Sequence, residues 1–174
     1  MNEQHEALKK FNHQINYAVN NYSGHGLKAE NFSNVLIGGL GGSGIGGRIT
    51  KTIFMDKFPL PVEVIADYRL PAYVNEKTLV ILASYSGNTE ETLTQFDEVK
   101  KRGSKVIILT SGGRLADLAK ENNLKTYFLE TGFQPRMALG FSLTYLVQIF
   151  AELMGQEIKA ELIRIASLFD DSTP

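Results

Sequence analysis

Three short runs of almost uninterrupted apolar residues limit what this chain can fold into. They are Asn34–Leu40, Thr78–Ala83 (TLVILA) and Lys105–Thr110 (KVIILT). Each has strand length, and none alternates apolar with polar positions. Strands of this kind are buried on both faces, as in a parallel sheet covered by helices. Pro61–Ala66 (PVEVIA) and Lys125–Leu129 (KTYFL) read as two further strands. Helices are expected over Arg48–Phe58, from the Ser84–Thr89 loop to about Arg102, and over Leu115–Glu121. This alternation with short connections predicts an α/β fold, a three-layer sandwich around a five-stranded parallel sheet. Outside it, residues 1–22 read as an amphipathic helix, with Leu8, Phe11, Ile15, Tyr17, Val19 and Tyr22 roughly on one face. Ser23-Gly24-His25-Gly26 breaks that helix and reads as a flexible loop. Met137–Met154 and Ile158–Phe169 read as two more helices, long and apolar enough to need a partner surface.

Composition narrows the function. The chain has 174 residues, 18 basic and 19 acidic, a formal charge of −1 and no cysteine. That length suits one domain. Lack of cysteine removes disulfides, thiolate zinc sites and a thiol nucleophile. Charge balance argues against a broad nucleic-acid surface. No apolar run approaches the roughly 18 residues that cross a membrane. The start, MNEQHEALKK, lacks the apolar core of a signal peptide, so a cytoplasmic location is expected. In that setting the sequon at Asn31-Phe32-Ser33 has no role. No carboxylates or histidines have metal-ligand spacing, so no metal is expected.

Seven of the ten residues Gly38–Gly47 are glycine. Placed between a strand and a helix, they allow positive φ and close approach of a ligand to backbone N–H groups. The helix start beyond adds about half a positive charge, which suits a phosphate. Ser43 is the only hydroxyl in the stretch. The alternative is tight strand–helix packing with no ligand. The stretch also matches G-x-G-x-x-G from Gly39 and from Gly42, and Asp67 lies where a dinucleotide fold has its ribose-binding acid. A dinucleotide-binding oxidoreductase therefore competes at this point.

A second motif follows the run Thr78–Ala83: Ser84-Tyr85-Ser86-Gly87-Asn88-Thr89-Glu90-Glu91-Thr92. Ser84, Ser86 and Thr89 can converge on one anion with backbone N–H groups. Asn88 and Glu91 have the spacing of a capping box. Glu90 and Glu91 suit first-turn partners of the helix dipole, and Tyr85 reads as packing. Flavodoxins use similar hydroxyl-Gly-Asn-Thr strings, but after the first strand, and this chain has no tryptophan to stack on a flavin. A dinucleotide site does not need this second loop, so the pair of loops favours a small phosphorylated ligand. Third, Gln134-Pro135-Arg136 precedes a helix, where Pro135 suits the entrance and the planar fork of Arg136 suits a phosphate or a developing oxyanion. Arg48, His5 and His13 read as solvated surface, and His25 as a weak candidate for catalysis.

GGLGGSGIGG, SYSGNTEET and QPR before an ALG-containing helix, in this order, resemble the sugar isomerase (SIS) domain of the bifunctional phosphoglucose/phosphomannose isomerases. The resemblance covers about residues 30–150. It implies a flavodoxin-like fold, a phosphorylated sugar as substrate and no cofactor. Carried over to this sequence, Ser84, Ser86 and Thr89 hold the sugar phosphate, Gly42 and Ser43 contact the substrate, and Arg136 stands beside the reacting carbons. The implied reaction is aldose–ketose isomerisation between glucose 6-phosphate or mannose 6-phosphate and fructose 6-phosphate. The resemblance also implies a homodimer or pairing with a second SIS domain. Members of the family carry two such domains, with the glutamate base and ring-opening histidine in the second, and this chain is expected to hold one. Neither residue maps here. Glu130, at the end of the run Lys125–Leu129, is the one carboxylate expected near the ligand edge.

Overall fold

The computed structural model describes residues 10–171, so the expected helix over residues 1–22, Leu8 included, lies partly outside the described residues. In chain order the elements are α1 (Phe11–Asn20), β1 (Asn34–Gly39), α2 (Gly41–Phe54), β2 (Val62–Ile65), β3 (Thr78–Ser84), α3 (Glu90–Arg102), β4 (Lys105–Thr110), α4 (Gly113–Glu121), β5 (Lys125–Phe128), α5 (Leu139–Leu153) and α6 (Lys159–Asp171). Short 3-10 turns cover Ala29–Asn31 and Pro135–Met137.

The five strands form one parallel sheet in the order β2-β1-β3-β4-β5. The three uninterrupted apolar runs occupy its centre, and every residue of β3 is buried. The more polar runs are the edge strands β2 and β5, each half-open. Alternate residues serve opposite faces. Val35, Ile37, Ile81 and Ile107 pack with Phe54 of α2 and with Phe141, Tyr145 and Ile149 of α5. Leu36, Val80, Leu82 and Ile108 pack with Phe96 and Val99 of α3 and with Leu115 of α4. Each such fully buried side chain contributes roughly 1.5–3 kcal/mol.

Two sequence expectations change here. The glycine stretch is mostly helix, since α2 begins at Gly41 rather than at Arg48. Glycine disfavours a helix interior by about 1 kcal/mol, but close packing overrides propensity. A Cβ on Gly46 would meet Ser142 Oγ at 3.2 Å, and one on Gly47 would meet Ile37 Cγ2 at 3.0 Å and Val64 Cγ1 at 3.2 Å. These glycines let α2 lie against both the sheet and α5, so the packing alternative holds for this part of the stretch. Second, α5 is apolar nearly all round because the domain itself covers it. Its residues pack on the sheet and α2, and α1 covers it from outside, where the Gln148 amide donates to Ala18 O at 3.3 Å. Helix α6 differs: Leu162 and Ala166 pack on Ile15 and Val19 of α1, while Ile163, Ile165, Leu168 and Phe169 stay exposed.

Crossing from β1 through α2 to β2 on one side, and on to β3 on the other, makes the β1/β3 junction a topological switch point. In such sheets the crevice beyond the strands' carboxyl ends is where ligands bind.

Candidate functional site

All three sequence motifs lie at that edge. Parallel register pairs Gly39 of β1 with Ala83 of β3, and Ser84 with Thr110 of β4. The chain leaves β1 through the extended residue Leu40 and enters α2. It leaves β3 through the hydroxyl turn and enters α3.

That turn is internally bonded. Ser84 Oγ and Thr89 Oγ1 lie 2.8 Å apart, and the Gly87 N–H donates to Ser84 Oγ at 3.1 Å. Ser86 is exposed, and its Oγ accepts the Asn88 N–H at 3.2 Å. Gly87 has φ +68°, and a Cβ there would sit 1.8 Å from Gly112 O. The turn is thus pressed against the β4–α4 loop. Further bonds tie the two loops: the Ser111 N–H donates to Tyr85 O at 2.9 Å, and the Leu115 N–H to Gly87 O at 2.9 Å.

The expected capping box does not form. Asn88 Oδ1 accepts the Arg114 N–H at 2.9 Å, so Asn88 caps α4 instead of α3. Thr89 stands at the N-cap of α3, but its hydroxyl pairs with Ser84 and no side chain caps the helix. The first-turn amides of this 13-residue helix therefore face the turn without a side-chain acceptor. Glu90 and Glu91 in the same turn offset the dipole and oppose a second negative charge.

Gly42 and Arg136 meet directly. A Cβ on Gly42 would lie 2.9 Å from Pro135 O and 3.3 Å from Arg136 Cα. Ser43 follows in the first turn of α2, over the end of β1, its Cβ 3.2 Å from where a Cβ on Gly39 would be. Arg136 is exposed in its 3-10 turn, with Nη2 donating to Gln134 Oε1 at 3.1 Å.

Two residues with no assigned bonding role in the sequence hold this turn. Tyr85, read as packing, does pack half-buried against the core, but its phenol also donates to Glu130 O at 2.8 Å and accepts the Phe133 N–H at 2.8 Å. Gln14, fully buried on α1, donates from Nε2 to Met137 O at 2.8 Å and accepts the Gly140 N–H at 2.8 Å. The one signal in the sequence was a glutamine beside Ile15 on the apolar face of α1.

Other candidates are engaged by partners of their own or lie away from the motifs. Glu130 Oε2 is engaged by His13 Nε2 at 2.5 Å, so His13 is partnered rather than merely solvated. His25 lies in an ordered loop at the opposite edge of the sheet, not a flexible one. Its ring is fully buried, Nε2 donates to Ile149 O at 3.2 Å, and Nδ1 accepts the Leu27 N–H at 3.0 Å. Burial pushes the His25 pKa below its usual value, which keeps this tautomer neutral. Beside it, burial would raise the Glu152 pKa, but the Tyr22 hydroxyl and the Gly26 and His25 N–H groups together lower it. Asp67 is turned into its own loop, where Oδ1 accepts the Arg69 N–H at 3.2 Å. A cavity of about 650 Å³ lies at this opposite edge, lined by Leu27, Lys28, Lys57 and Glu152, and includes none of the motif residues. Among the described residues no group of His, Asp and Glu is arranged to hold a metal ion, and no helix is long and apolar enough to cross a membrane.

A five-stranded parallel sheet in 2-1-3-4-5 order, covered by helices on both faces, defines a doubly wound α/β domain of the flavodoxin-like class. A family model described as SIS domain matches residues 30–139, and the chain belongs to that family. The chain is 47% identical over 127 residues to a bifunctional phosphoglucose/phosphomannose isomerase of Caldicellulosiruptor bescii, covering 73% of this chain and 38% of that protein. It is 36% identical over 168 residues to the enzyme of the same name from Thermoplasma acidophilum, covering 97% of this chain and 50% of that protein. This chain thus spans half or less of the length of these relatives. Among solved structures, the C-terminal domain of glucosamine-fructose-6-phosphate aminotransferase from Francisella tularensis shares the fold, with a TM-score of 0.69 at 13% identity over 95% of this chain and 52% of that one.

Proposed function

We propose that this domain binds a phosphorylated sugar as part of a cytoplasmic aldose–ketose isomerase that interconverts glucose 6-phosphate or mannose 6-phosphate and fructose 6-phosphate. The observation that carries the reading is the meeting of three separated motifs at one edge, with Gly42 against the backbone of Arg136. Ser84, Ser86 and Thr89 hold the phosphate together with the uncapped start of α3. Exchange of the Ser84–Thr89 hydroxyl pair for phosphate oxygens keeps every hydroxyl bonded in both states. Gly42 and Ser43 form the wall against which the sugar lies.

Isomerisation needs a base to remove the proton alpha to the carbonyl and return it to the neighbouring carbon, through a cis-enediolate. Arg136 stabilises the enediolate oxygen, and no metal or cofactor takes part. By the family resemblance, the base comes from a second SIS domain; Glu130, paired with His13 at the surface, is not given that role. Exposed apolar side chains on and beside α2 suit that partner: Leu40, just before the helix, and Ile45 and Ile53 on it are 43–52% exposed, and Met55, just after it, is 69% exposed. The fusion or partner chain would also wall a site that is otherwise an open shelf.

Calorimetric titration of fructose 6-phosphate into the chain tests the reading. Saturable binding that Ser86→Ala and Arg136→Ala each weaken is expected. Absence of binding, or binding indifferent to both changes, contradicts it. The engagement of Glu130 also favours a second reading, a non-catalytic phosphosugar-binding domain. Binding without turnover, even when the chain is mixed with a full-length relative, would select it.

A further inference from the structure

The turn that carries Arg136 is solvent-exposed and has no regular secondary structure beyond three residues of 3-10 helix. An arginine on such a turn has no fixed position of its own. Three contacts supply one. On the N-terminal side, the Tyr85 phenol uses its donor on Glu130 O and its acceptor on the Phe133 N–H, both at 2.8 Å. On the C-terminal side, the buried Gln14 amide uses its donor on Met137 O and its acceptor on the Gly140 N–H, both at 2.8 Å. Between them, Gly42 lets α2 rest on Pro135 and Arg136. The two side chains belong to different elements, the hydroxyl turn and α1.

We propose that Tyr85 and Gln14 are positioning residues that clamp residues 130–140 and set Arg136 against the sugar, while leaving phosphate capture to the serines. The proposal rests on the phosphosugar reading above. Its chemistry is specific to Tyr85. The backbone oxygen of Tyr85 is fixed by the Ser111 N–H at 2.9 Å and the Ser111 hydroxyl at 2.6 Å. The residue is therefore anchored in the phosphate turn while its phenol reaches the arginine turn, so Tyr85 links the two turns directly, and Gln14 holds the far end of the second. Tyr85→Phe keeps the ring against the core and removes both bonds. A looser turn no longer holds the Arg136 fork against the sugar, and the loss of one charge-assisted hydrogen bond weakens sugar-phosphate binding by about tenfold.

The test is a double-mutant cycle on this chain with two probes, fructose 6-phosphate and inorganic phosphate, with thermal unfolding as a check on folding. Tyr85→Phe is expected to weaken fructose 6-phosphate about tenfold, to leave inorganic phosphate within about twofold, and to have no further effect in an Arg136→Ala background. Gln14→Leu is the second variant and is expected to show the same pattern. Wild-type affinity for fructose 6-phosphate in both variants overturns the proposal. So does an equal loss with and without Arg136, which would place the effect in the serine turn. If the unmodified chain binds neither probe, the phosphosugar reading itself fails, a result distinct from a silent Tyr85→Phe.

Discussion

Gly42→Ala separates the role of the glycine stretch in folding from its role at the site. Gly42 is the second residue of α2, and its backbone needs no positive φ. Alanine is intrinsically the better helix residue, by up to about 1 kcal/mol. The added methyl, however, would sit 2.9 Å from Pro135 O and 3.3 Å from Arg136 Cα. Ordinary carbon contacts lie near ~3.5 Å, so the turn must retreat by roughly half an ångström. The Tyr85 and Gln14 bonds hold that turn on both sides, and part of the displacement passes to Arg136. The helix gain and the packing loss offset, leaving stability within about 1 kcal/mol of wild type. Affinity for fructose 6-phosphate falls about tenfold, or about 1.4 kcal/mol. Gly41→Ala is the mirror control. A Cβ there meets nothing within 4 Å, but the residue has φ +54°. It loses about 1–2 kcal/mol of stability and binds normally once folded. Denaturant melts and calorimetric titrations on both variants measure the crossed pattern. A Gly42→Ala protein that binds like wild type would refute the contact-based reasoning.

Other expectations follow from the same geometry. Gly87→Ala should cost about 3 kcal/mol in a denaturant melt, because φ is +68° and the methyl would meet Gly112 O at 1.8 Å; a loss under 1 kcal/mol would contradict the interlock of the two loops. Stability should fall as pH drops below the ordinary His25 value of 6.5, because the unfolded chain takes up a proton that the buried ring resists, and His25→Gln should flatten that limb. A further fall belongs below the ordinary Glu152 value of 4.5, as protonation removes the acceptor for Tyr22 and two N–H groups; stability rising through either window in the wild type would oppose the assignment. The chain should self-associate in light scattering, and Ile45→Glu with Ile53→Glu should abolish this without lowering Tm, since both side chains are exposed in the isolated domain; a wild-type chain that is monomeric at every concentration would count against docking through the exposed apolar side chains of α2.

Much of the fold was legible because burial on both faces leaves an unusual mark. A run such as TLVILA has no polar position to spare, and the core strands fall where such runs do. The start of α2 was not legible. Propensity reads glycine as loop, whereas Gly46 and Gly47 are glycine because Ser142 and Ile37 approach from elements distant in sequence. Asn88 shows the same limit: its spacing to Glu91 fits a local cap, but the amide it meets belongs to Arg114, 26 residues on. His25 looked mobile between glycines, yet Ile149 and Glu152, more than 120 residues away, fix it. At the candidate site the motif residues announced themselves through hydroxyls, glycines and an arginine. Gln14 could not, because its function depends on which backbone groups the fold leaves unpaired beside it.

The central claim is that a phosphorylated sugar sits at the carboxyl edge of the sheet, between the hydroxyl turn and Arg136. Backbone amide shifts of ¹⁵N-labelled chain, followed while fructose 6-phosphate is added, test it most directly. The account predicts saturable shifts concentrated at Ser86–Thr89, at Gly42 and Ser43, and around Arg136. Shifts confined to the opposite edge, around Lys28, Lys57 and Glu152, or no shifts at millimolar ligand, would contradict it.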